Sequence, residues 1–527
     1  MDDFETGKNP GIDNPGEPES KGHFVRAFNC IFSRHILNIA VLILVALLFT
    51  GTWLKPAERI LDPDIWWHLA DARILLTTHH FIRVDPYSFT VTGQRWINPE
   101  WLAEIPFWTG YKSFGLTGIY LVTLTGLLAN LGLMYWRSCL VSRHILAAFW
   151  MSALGFALMT INSGPRTILF AYLALSIEMA ILEACERGNT RLLWLLPPIF
   201  CVWINLHGSA LLGLCLLALY ILCGCFSFRK GIFDQNRWSA SELRRLLMVF
   251  LASTAALFIN PYGWRMVWNP FDMLLNQKLM IAIMQEWQPM NLSMNIGKTS
   301  AIAIGLTIAA NCIHSRKWKI YELAFIFYAW YTAFSHMRFA FLAAVLTIPM
   351  LAKDVARSFL GKADKKTIPV FNAIFAAAAI CVIVYLFPTE LTLRQAIAAK
   401  YPLQSIASIQ PDWRTYNEDS TGGMMAFESK PDFFDTRDDI FEQHGIMRDL
   451  LSIMSMHQPL ELLDKYRIDH VLTHADSGLA YMLQRTPGWR IERTEGRRDD
   501  AYVLLARSES AIGTVASSTG LSQAIQH

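Results

Sequence analysis

Uninterrupted apolar runs recur along most of the chain, and their lengths determine the elements that the sequence predicts. Most runs are long enough for a helix to cross the roughly 30 Å of hydrocarbon in a bilayer. About eleven transmembrane helices are therefore expected, at residues 34–53, 116–137, 144–162, 167–185, 191–205, 208–226, 245–260, 298–313, 320–336, 339–352 and 368–388.

The polar segment that follows the last run has a different pattern. Short apolar stretches that suit strands alternate with helical stretches near 391–408, 442–455, 459–466 and 476–485, which predicts a small α/β domain. The predicted strands are PDFFDT, DHVLTH, WRIERT and AYVLLA. The expected fold class is therefore an α-helical polytopic membrane protein with a small C-terminal extracytoplasmic α/β domain.

The distribution of Lys and Arg predicts the orientation. These residues are concentrated in the loops on the side of the N-terminal tail, whereas the three short loops on the other side hold only Arg166 and Arg338, which makes the tail side cytoplasmic. The large loops and the C-terminal segment then face outward. The expected organisation is a disordered tail, a transmembrane domain whose outer loop is 54–115, an α/β domain and a second disordered tail, at 1–30, 31–388, 389–507 and 508–527.

Composition narrows the class further. Of the 527 residues, 53% are hydrophobic and only 17% are charged, below the roughly 25% of soluble domains, so a soluble enzyme and a disordered chain are excluded. With a net charge of +3 and no basic stripe, a nucleic-acid partner is not expected. The nine cysteines fall in predicted spans or on the inner side, so neither disulfides nor cysteine chemistry is expected.

The first outer loop carries the strongest candidate chemistry. Asp62 and Asp64 flank Pro63, and a helix is expected to begin at Asp64, with His68 and Asp71 on its acidic face. Pro99 and Glu100 are expected to open a second helix that includes Glu104, and the two interfacial helices are joined by a turn at Asp85–Ser88. The alternative is that the carboxylates only cap helices and face water. For Trp66, Trp67, Trp96 and Trp101 an interfacial aromatic belt is preferred, with sugar stacking as the alternative.

Costly polar residues also recur at the outer ends of several spans. They include Arg166, His207, Glu286 and Arg338, all on the side of the Asp62–Asp64 pair. Singly, each is typical of an interfacial anchor, but together they predict one outward-facing cavity. In the C-terminal segment Asp435, Arg437, Asp438 and Asp439 form a charged turn, for which a solvated turn with a structural salt bridge is preferred over acceptor binding.

These motifs carry a resemblance. The stretches DPDIWWHLADARIL, VDPYSFT, WINPEWLAE, NLHG, NPYGW, EWQP and FFDTRDDIF resemble GT-C-type membrane glycosyltransferases, the polyprenyl-phosphate-sugar-dependent superfamily that includes protein mannosyltransferases and the lipid A aminoarabinose transferase. A bacterial group within that superfamily is most similar, over about residues 55–507. One departure is Met424, because the group usually has an aromatic residue after the Gly422–Gly423 pair.

The resemblance implies a function and roles. The acceptor's general base, or a ligand of a divalent metal at the donor, falls on Asp64 and then Asp62. Positive charge for the departing phosphate is assigned to Arg338 and Arg166, supported by His207. Substrate contacts are expected from His68, Glu100, Glu286, Trp66 and Trp67.

The implied substrates and location complete the hypothesis. The donor is a polyprenyl-phosphate sugar held in the membrane, and the acceptor is a glycan, a lipid or a protein. No cofactor is required beyond an optional divalent metal ion. A bacterial inner membrane with the site outside is expected, with envelope-assembly proteins as further partners.

Two other classes of function stay open. One is a transporter or flippase for lipid-linked sugars, although no convincing internal repeat is evident. The other is a non-catalytic membrane scaffold that recruits a partner through the C-terminal domain. A polar outer cavity with Asp64 near Arg338 would favour the enzyme, and a collapsed apolar one would favour the scaffold.

Overall fold

The computed structural model describes residues 62–159, 164–360, 387–496 and 501–508, together with a few isolated positions between 374 and 385. The predicted first span, nearly all of the last span and both predicted tails lie outside these residues. The described chain is mostly helical. Its α-helices, numbered in chain order, are α1 Asp64–Thr78, α2 Trp101–Phe114, α3 Leu116–Ser142, α4 Ile145–Met159, α5 Ile168–Glu186, α6 Leu196–Leu206, α7 Ala210–Cys223, α8 Ala240–Ala256, α9 Trp264–Asn276, α10 Lys278–Ile283, α11 Asn295–Ile313, α12 Ile320–Ser335, α13 Ala340–Val355, α14 Glu390–Lys400, α15 Leu403–Ser408, α16 Asp419–Phe427, α17 Asp438–Gln443, α18 Ile446–Met454, α19 Pro459–Lys465 and α20 Gly478–Leu483.

Helices α3 to α8 and α11 to α13 coincide with predicted spans. Within the described residues, four helical stretches are long and apolar enough to cross a membrane: Leu116–Ser142, Ile168–Glu186, Asn295–Ile313 and Met337–Leu360. Three shorter apolar helices accompany them. The protein is therefore a membrane protein, while the count of about eleven spans stays a prediction.

Helix α13 forms the centre of the bundle. It packs against α3, α4 and α12. Nearly all of its side chains are buried, including the run Ala340–Pro349 and the charged Asp354. Its small residues, such as Ala343 and Ala344, let neighbouring helices approach closely, as is usual where the packing of membrane helices has no hydrophobic driving force.

The two predicted helices of the first outer loop are present, but the first half of α1 does not lie on a surface. Helix α1 begins at Asp64, as predicted, after Pro63. Its first half, Ile65–Ala72, is buried because α2 and α16 pack against it. The expectation of a surface helix is therefore wrong for this half, and only the exposed end with His79 and His80 meets solvent.

The C-terminal segment forms the predicted α/β domain around a four-stranded sheet. Its strands are β1 Thr415–Asn417, β2 His470–His474, β3 Trp489–Glu495 and β4 Tyr502–Arg507, in the order β1-β2-β4-β3. The β1–β2 pair is parallel and the other two pairs are antiparallel. Three predicted strands are confirmed.

The predicted strand PDFFDT is wrong. Its backbone is held by a side chain instead: the Phe433 amide donates to the Asn417 carboxamide at 2.7 Å, and Asn417 donates to the Phe434 carbonyl at 2.8 Å. The same segment meets the first loop, where the Phe89 amide donates to the Asp432 carbonyl at 3.0 Å. The segment thus joins the C-terminal domain to the outer loop.

A buried ion cluster completes this junction. Arg437 lies 2.6 Å from both Asp85 and Asp435, and all three side chains are fully buried. The turn at Asp85–Ser88 is confirmed, since the Asp85 carboxylate accepts from the Ser88 amide at 3.0 Å. The alternative of a solvated Asp85 and the preferred solvated state of the 435–439 turn are both wrong, because the two segments bury each other. The expected salt bridge is confirmed.

Candidate functional site

A polar cavity of about 660 Å³ lies where the first loop, the ends of several membrane helices and the C-terminal domain meet. It brings together most of the side chains that the sequence singled out. These lining residues are Asp64, Trp67, His68, Glu100, Arg166, His207, Glu286 and Arg338. Asp62 joins them through its contact with Arg166. The predicted cavity is therefore present, and it contains six acids and three arginines; that it faces outward stays a prediction.

Alternating charges run along one wall. Arg166 donates to Asp62 at 2.5 Å and to Glu286 at 2.8 Å, and Glu286 also lies 3.4 Å from Arg338. Burial disfavours the charged guanidinium of Arg166, but the Asp62 and Glu286 carboxylates outweigh it and raise its pKa well above the usual value. Arg338 also lies over the Trp287 ring, 4.2 Å from its centre. Both arginines are therefore held as cations in the wall.

Asp64 lies at the first turn of α1, where its amide donates to the Asp62 carboxylate at 3.2 Å. Burial, assisted by the charge of Asp62, raises the pKa of Asp64 to about 6, although Arg166 opposes this shift. Asp438 of the C-terminal domain lies close enough that burial and the Asp64 charge raise its own pKa well above the usual value. The charge of Asp64 therefore disfavours ionisation of Asp438.

A buried polar network supports α1 from behind. His68 contacts Glu104 at 2.9 Å, and Asn98 donates to both Glu104 and Asp71 at 2.8 and 2.9 Å. Tyr87 donates to Asp71 at 2.5 Å. Burial raises the pKa of Glu104 and of Asp71 well above the usual range. The face predicted to carry Asp64, His68 and Asp71 is therefore divided: Asp64 and His68 line the cavity, whereas Asp71 is held within the protein by Tyr87 and Asn98.

The two cavity histidines are neutral donors and acceptors rather than cations. Burial, with the nearby Arg338 charge, lowers the pKa of His207 to about 3. Its Nδ1 accepts from the Ser209 amide at 3.0 Å, so Nε2 carries the proton and faces Glu100 at 3.3 Å. Burial also lowers the pKa of His68. The predicted support of a phosphate by His207 cannot come from positive charge.

Tryptophan positions correct the belt hypothesis. The side chains of Trp66, Trp67 and Trp96 are only 2%, 6% and 4% exposed, so protein rather than lipid covers them. Trp67 and Trp96 line the cavity. Trp66 does not, because it packs against Tyr401 and Phe427 with ring centres 5.9 and 5.6 Å away. The expected substrate contact of Trp66 is therefore replaced by a structural one.

The C-terminal domain contributes side chains to the cavity, although a solvated turn is the preferred expectation for its acids. Asp419, Thr436, Asp438 and Asp439 line the cavity opposite the first loop, and Trp67 donates to the Thr436 hydroxyl at 3.2 Å. The FFDTRDDIF stretch was the available signal, but its acids were assigned to a solvated turn. Their position makes the C-terminal domain one wall of the site.

The proposed metal ligands were also located. In the part of the chain that the structure describes, no group of three or more His, Cys, Asp or Glu side chains is arranged to hold a metal ion. Asp62 already accepts from Arg166, which leaves Asp64 as the carboxylate without such a cation partner. Metal binding by Asp62 and Asp64 stays a prediction.

Comparisons with known proteins identify structures of similar fold. No family model matches the chain, and no curated protein matches it in sequence. Among solved structures it is similar to the apo oligosaccharyltransferase of Archaeoglobus fulgidus, with a TM-score of 0.51 and 12% identity over 85% of this chain and 70% of that one. Similar values hold for the oligosaccharyltransferase AglB of that organism in complex with an inhibitory peptide and a dolichol-phosphate: a TM-score of 0.51 and 11% identity, over 86% and 70% of the two chains.

A third structure, the Archaeoglobus fulgidus enzyme in complex with Zn and sulfate, has a TM-score of 0.51 and 12% identity over 84% of this chain and 68% of that one. At such low identity the likeness shows the fold alone. All three neighbours are oligosaccharyltransferases, and this chain shares their fold over most of its length. The resemblance first drawn from DPDIWWH and its companion motifs is confirmed at the level of architecture, and the chain has a GT-C-type fold.

Proposed function

We propose that this protein is a GT-C-type membrane glycosyltransferase that moves a sugar from a polyprenyl-phosphate donor to a glycan, lipid or protein acceptor. The observation that carries the proposal is the polar cavity at one end of membrane-length helices, lined by both Asp64 and Arg338. A scaffold has no need of such a cavity, whereas glycosyl transfer needs a base and a cationic phosphate site within one pocket.

Asp64 is the proposed general base. With a pKa of about 6, it is ionised at neutral pH yet remains basic enough to accept the proton of an acceptor hydroxyl, which is the compromise that general-base catalysis favours. Asp438 lies close by, where burial and the Asp64 charge raise its pKa well above the usual value. An ionised Asp64 therefore disfavours a second negative charge at Asp438 beside the proposed base.

Arg338 and Arg166 are the proposed partners of the donor phosphate. Arg338 contacts Glu286 at 3.4 Å, which is looser than the 2.8 Å contact between Arg166 and Glu286. An entering phosphate would therefore compete most easily for Arg338, while Arg166 keeps Glu286 and Asp62 in place. Charge on the departing phosphate is stabilised best by cations fixed before the reaction, and this wall meets that requirement.

An apolar groove supports the choice of a lipid-linked donor. It has a volume of about 550 Å³ between α11 and α12 and is lined by Ile304, Ile326, Phe327, Trp330, Tyr331, Phe334 and Ser335. Ser335 is the last residue of α12 and is followed within three residues by Arg338. A polyprenyl tail in this groove would place its phosphate at the arginine wall. One neighbour structure holds a dolichol-phosphate, which is consistent with a lipid-linked donor here.

The proposed location and acceptor side follow from the distribution of charge. The basic loops favour a bacterial inner membrane with the cavity on the extracytoplasmic face. The lining residues Asp419 and Asp439 are the proposed acceptor side, because they belong to the C-terminal domain and not to the segments that carry Arg166 and Arg338. A neighbour binds an inhibitory peptide, so a protein acceptor is among the classes to test. Treatment with EDTA tests whether Asp62 and Asp64 hold a divalent metal.

The donor can be identified directly. The full-length protein is purified in nanodiscs with native lipids, and bound lipid-linked sugars are determined by mass spectrometry. Co-purification of a polyprenyl-phosphate sugar, and its loss in Arg338→Gln, is the expected result. The matched control is Arg493→Gln, an exposed arginine of the C-terminal domain. No bound donor, together with no product from a panel of polyprenyl-phosphate sugars, would favour the scaffold.

A further inference from the structure

A second large cavity lies at the opposite end of the helix bundle. It also measures about 660 Å³ and is formed by the far ends of α3, α5, α12 and α13. Helix α5 begins at Ile168 beside the polar cavity and ends at Glu186, which lines the second one. At 1.5 Å per residue, this separates the two by roughly 27 Å, close to the thickness of the hydrocarbon core.

The charge of this second cavity is opposite to that of the first. Six Lys or Arg residues and three Glu residues line it. Each glutamate already has a cation: Glu183 lies 2.6 Å from Arg137, Glu322 lies 2.7 Å from Arg316, and Glu186 pairs with Lys319. The remaining lining cations have no ion-pair partner among the described residues and are Arg143, Arg187, Lys353 and Arg357.

A buried hydrogen-bond donor points to the same kind of ligand. His144 is only 7% exposed and lines this cavity. Its Nδ1 accepts from the Ala147 amide at 3.3 Å, so the ring proton lies on Nε2. That Nε2 is buried and has no hydrogen-bond partner among the described residues. Native proteins rarely leave a buried donor without a hydrogen-bond acceptor. Here the donor lines the same cavity as the unpaired cations, so one anionic ligand could serve both.

We propose that this cavity binds the phosphate headgroup of an anionic phospholipid from the leaflet at that end of the bundle. Basic pockets between membrane helices recognise such headgroups, and phosphate oxygens are acceptors for both the cations and the His144 donor. A soluble phosphate would share this chemistry. The lipid is the chosen source because apolar side chains such as Met179, Leu182 and Phe325 also line the cavity and suit acyl chains. The proposal does not depend on the transferase assignment.

The experiment uses the full-length protein in detergent, stripped of lipid and then titrated with phosphatidylglycerol, phosphatidylcholine or inorganic phosphate. Binding is followed by native mass spectrometry. The test variant is the double substitution Arg187→Gln and Lys353→Gln, both exposed positions. The matched control is Arg191→Gln with Lys230→Gln, two exposed cations in connecting segments at the same end of the bundle that do not line the cavity.

Wild-type protein should bind phosphatidylglycerol in preference to phosphatidylcholine. Each cation near an anionic surface contributes about a factor of five to binding, so the test variant, which lacks two, should bind phosphatidylglycerol roughly 25-fold more weakly. The control should match wild type. An equal loss in the control would mean diffuse attraction and would overturn the site. Equal occupancy by inorganic phosphate and phosphatidylglycerol would overturn the lipid as its ligand.

His144→Asn provides an independent variant. The asparagine oxygen can still accept from the Ala147 amide, as helix-capping side chains do, but the Nε2 donor is lost. Weaker phosphatidylglycerol binding with unchanged thermal stability of the lipid-free protein is expected. Unchanged phosphatidylglycerol binding would remove His144 from the site, and with it the buried donor on which the proposal depends.

Discussion

Replacing Gly423 with alanine is expected to disturb the acidic motif without touching its carboxylates. Gly423 lies in α16, which packs on α1, and a Cβ at this position would lie 2.5 Å from the Pro63 carbonyl oxygen and 3.6 Å from Cβ of Trp66. Cβ atoms essentially never approach another atom within 3.0 Å, so the two backbones must separate by about 0.5 Å. Pro63 immediately precedes Asp64, and the displacement is therefore passed to the proposed base.

The magnitude follows from two effects. Overpacking a close contact destabilises by about 1–3 kcal/mol. A misplacement of about 1 Å in a reacting geometry lowers rates on the order of 100-fold, so half that displacement should lower sugar transfer roughly tenfold. Transfer is measured in nanodiscs with a labelled polyprenyl-phosphate sugar, and thermal stability is measured on the same samples.

The control is another helical glycine. Gly305 lies in α11, where an added Cβ would meet nothing within 4 Å, so Gly305→Ala should retain full transfer and gain stability, because alanine favours the helix by up to about 1 kcal/mol. Full activity in Gly423→Ala would refute the argument that this close approach positions Asp64.

The remaining predictions concern charge. Because burial raises the pKa of Asp64 to about 6, the transfer rate should rise with pH through about 6 and level off above 7; a flat pH–rate profile would exclude Asp64 as the base. The same raised pKa makes the ionised carboxylate destabilising above pH 6, so Asp64→Asn should be more stable by about 1–3 kcal/mol at pH 7.5, a gain that vanishes below about pH 4 in thermal unfolding. Arg437→Gln leaves Asp85 and Asp435 buried without their cation, which should cost about 3–5 kcal/mol; limited proteolysis should then cut the Asp85 loop, and resistance equal to that of Arg493→Gln would contradict the role of the cluster.

Local patterns were sufficient for much of the fold. Apolar runs located most membrane helices because a span must be continuously apolar whatever its neighbours are. The start of α1 at Asp64 is predictable from the sequence because Pro63, the residue directly before it, is preorganised for a helix start. This signal depends only on neighbouring residues. The strands at 469–474, 489–494 and 501–506 were likewise visible from β-branched and aromatic runs.

Features that depend on distant partners were not predictable. Asp85 and Arg437 are 352 positions apart, so neither residue alone indicates a buried ion pair. The PDFFDT stretch has strand-like composition, yet the Asn417 side chain takes its hydrogen bonds. Without a packing partner in view, α1 was placed on the membrane surface, although the C-terminal domain covers it.

The candidate site shows the same division. Residue type and the side of the membrane were enough to gather Asp64, Arg166, Glu286 and Arg338 into one predicted cavity, because span ends on one face must lie near one another. The protonation behaviour of the site could not be predicted from residue type and position alone. Burial removes the charge from His207 and raises the pKa of Asp438 beside Asp64. Those shifts depend on the C-terminal wall, whose placement requires the folded chain.

The most direct test of the account is the rate of sugar transfer by Asp64→Asn, compared with wild type and with Asp412→Asn, the same change at an exposed aspartate. A general base contributes on the order of 10²–10⁴-fold. The account predicts a loss of that size in Asp64→Asn, with normal membrane insertion and unchanged transfer in Asp412→Asn. Wild-type transfer by Asp64→Asn would contradict it.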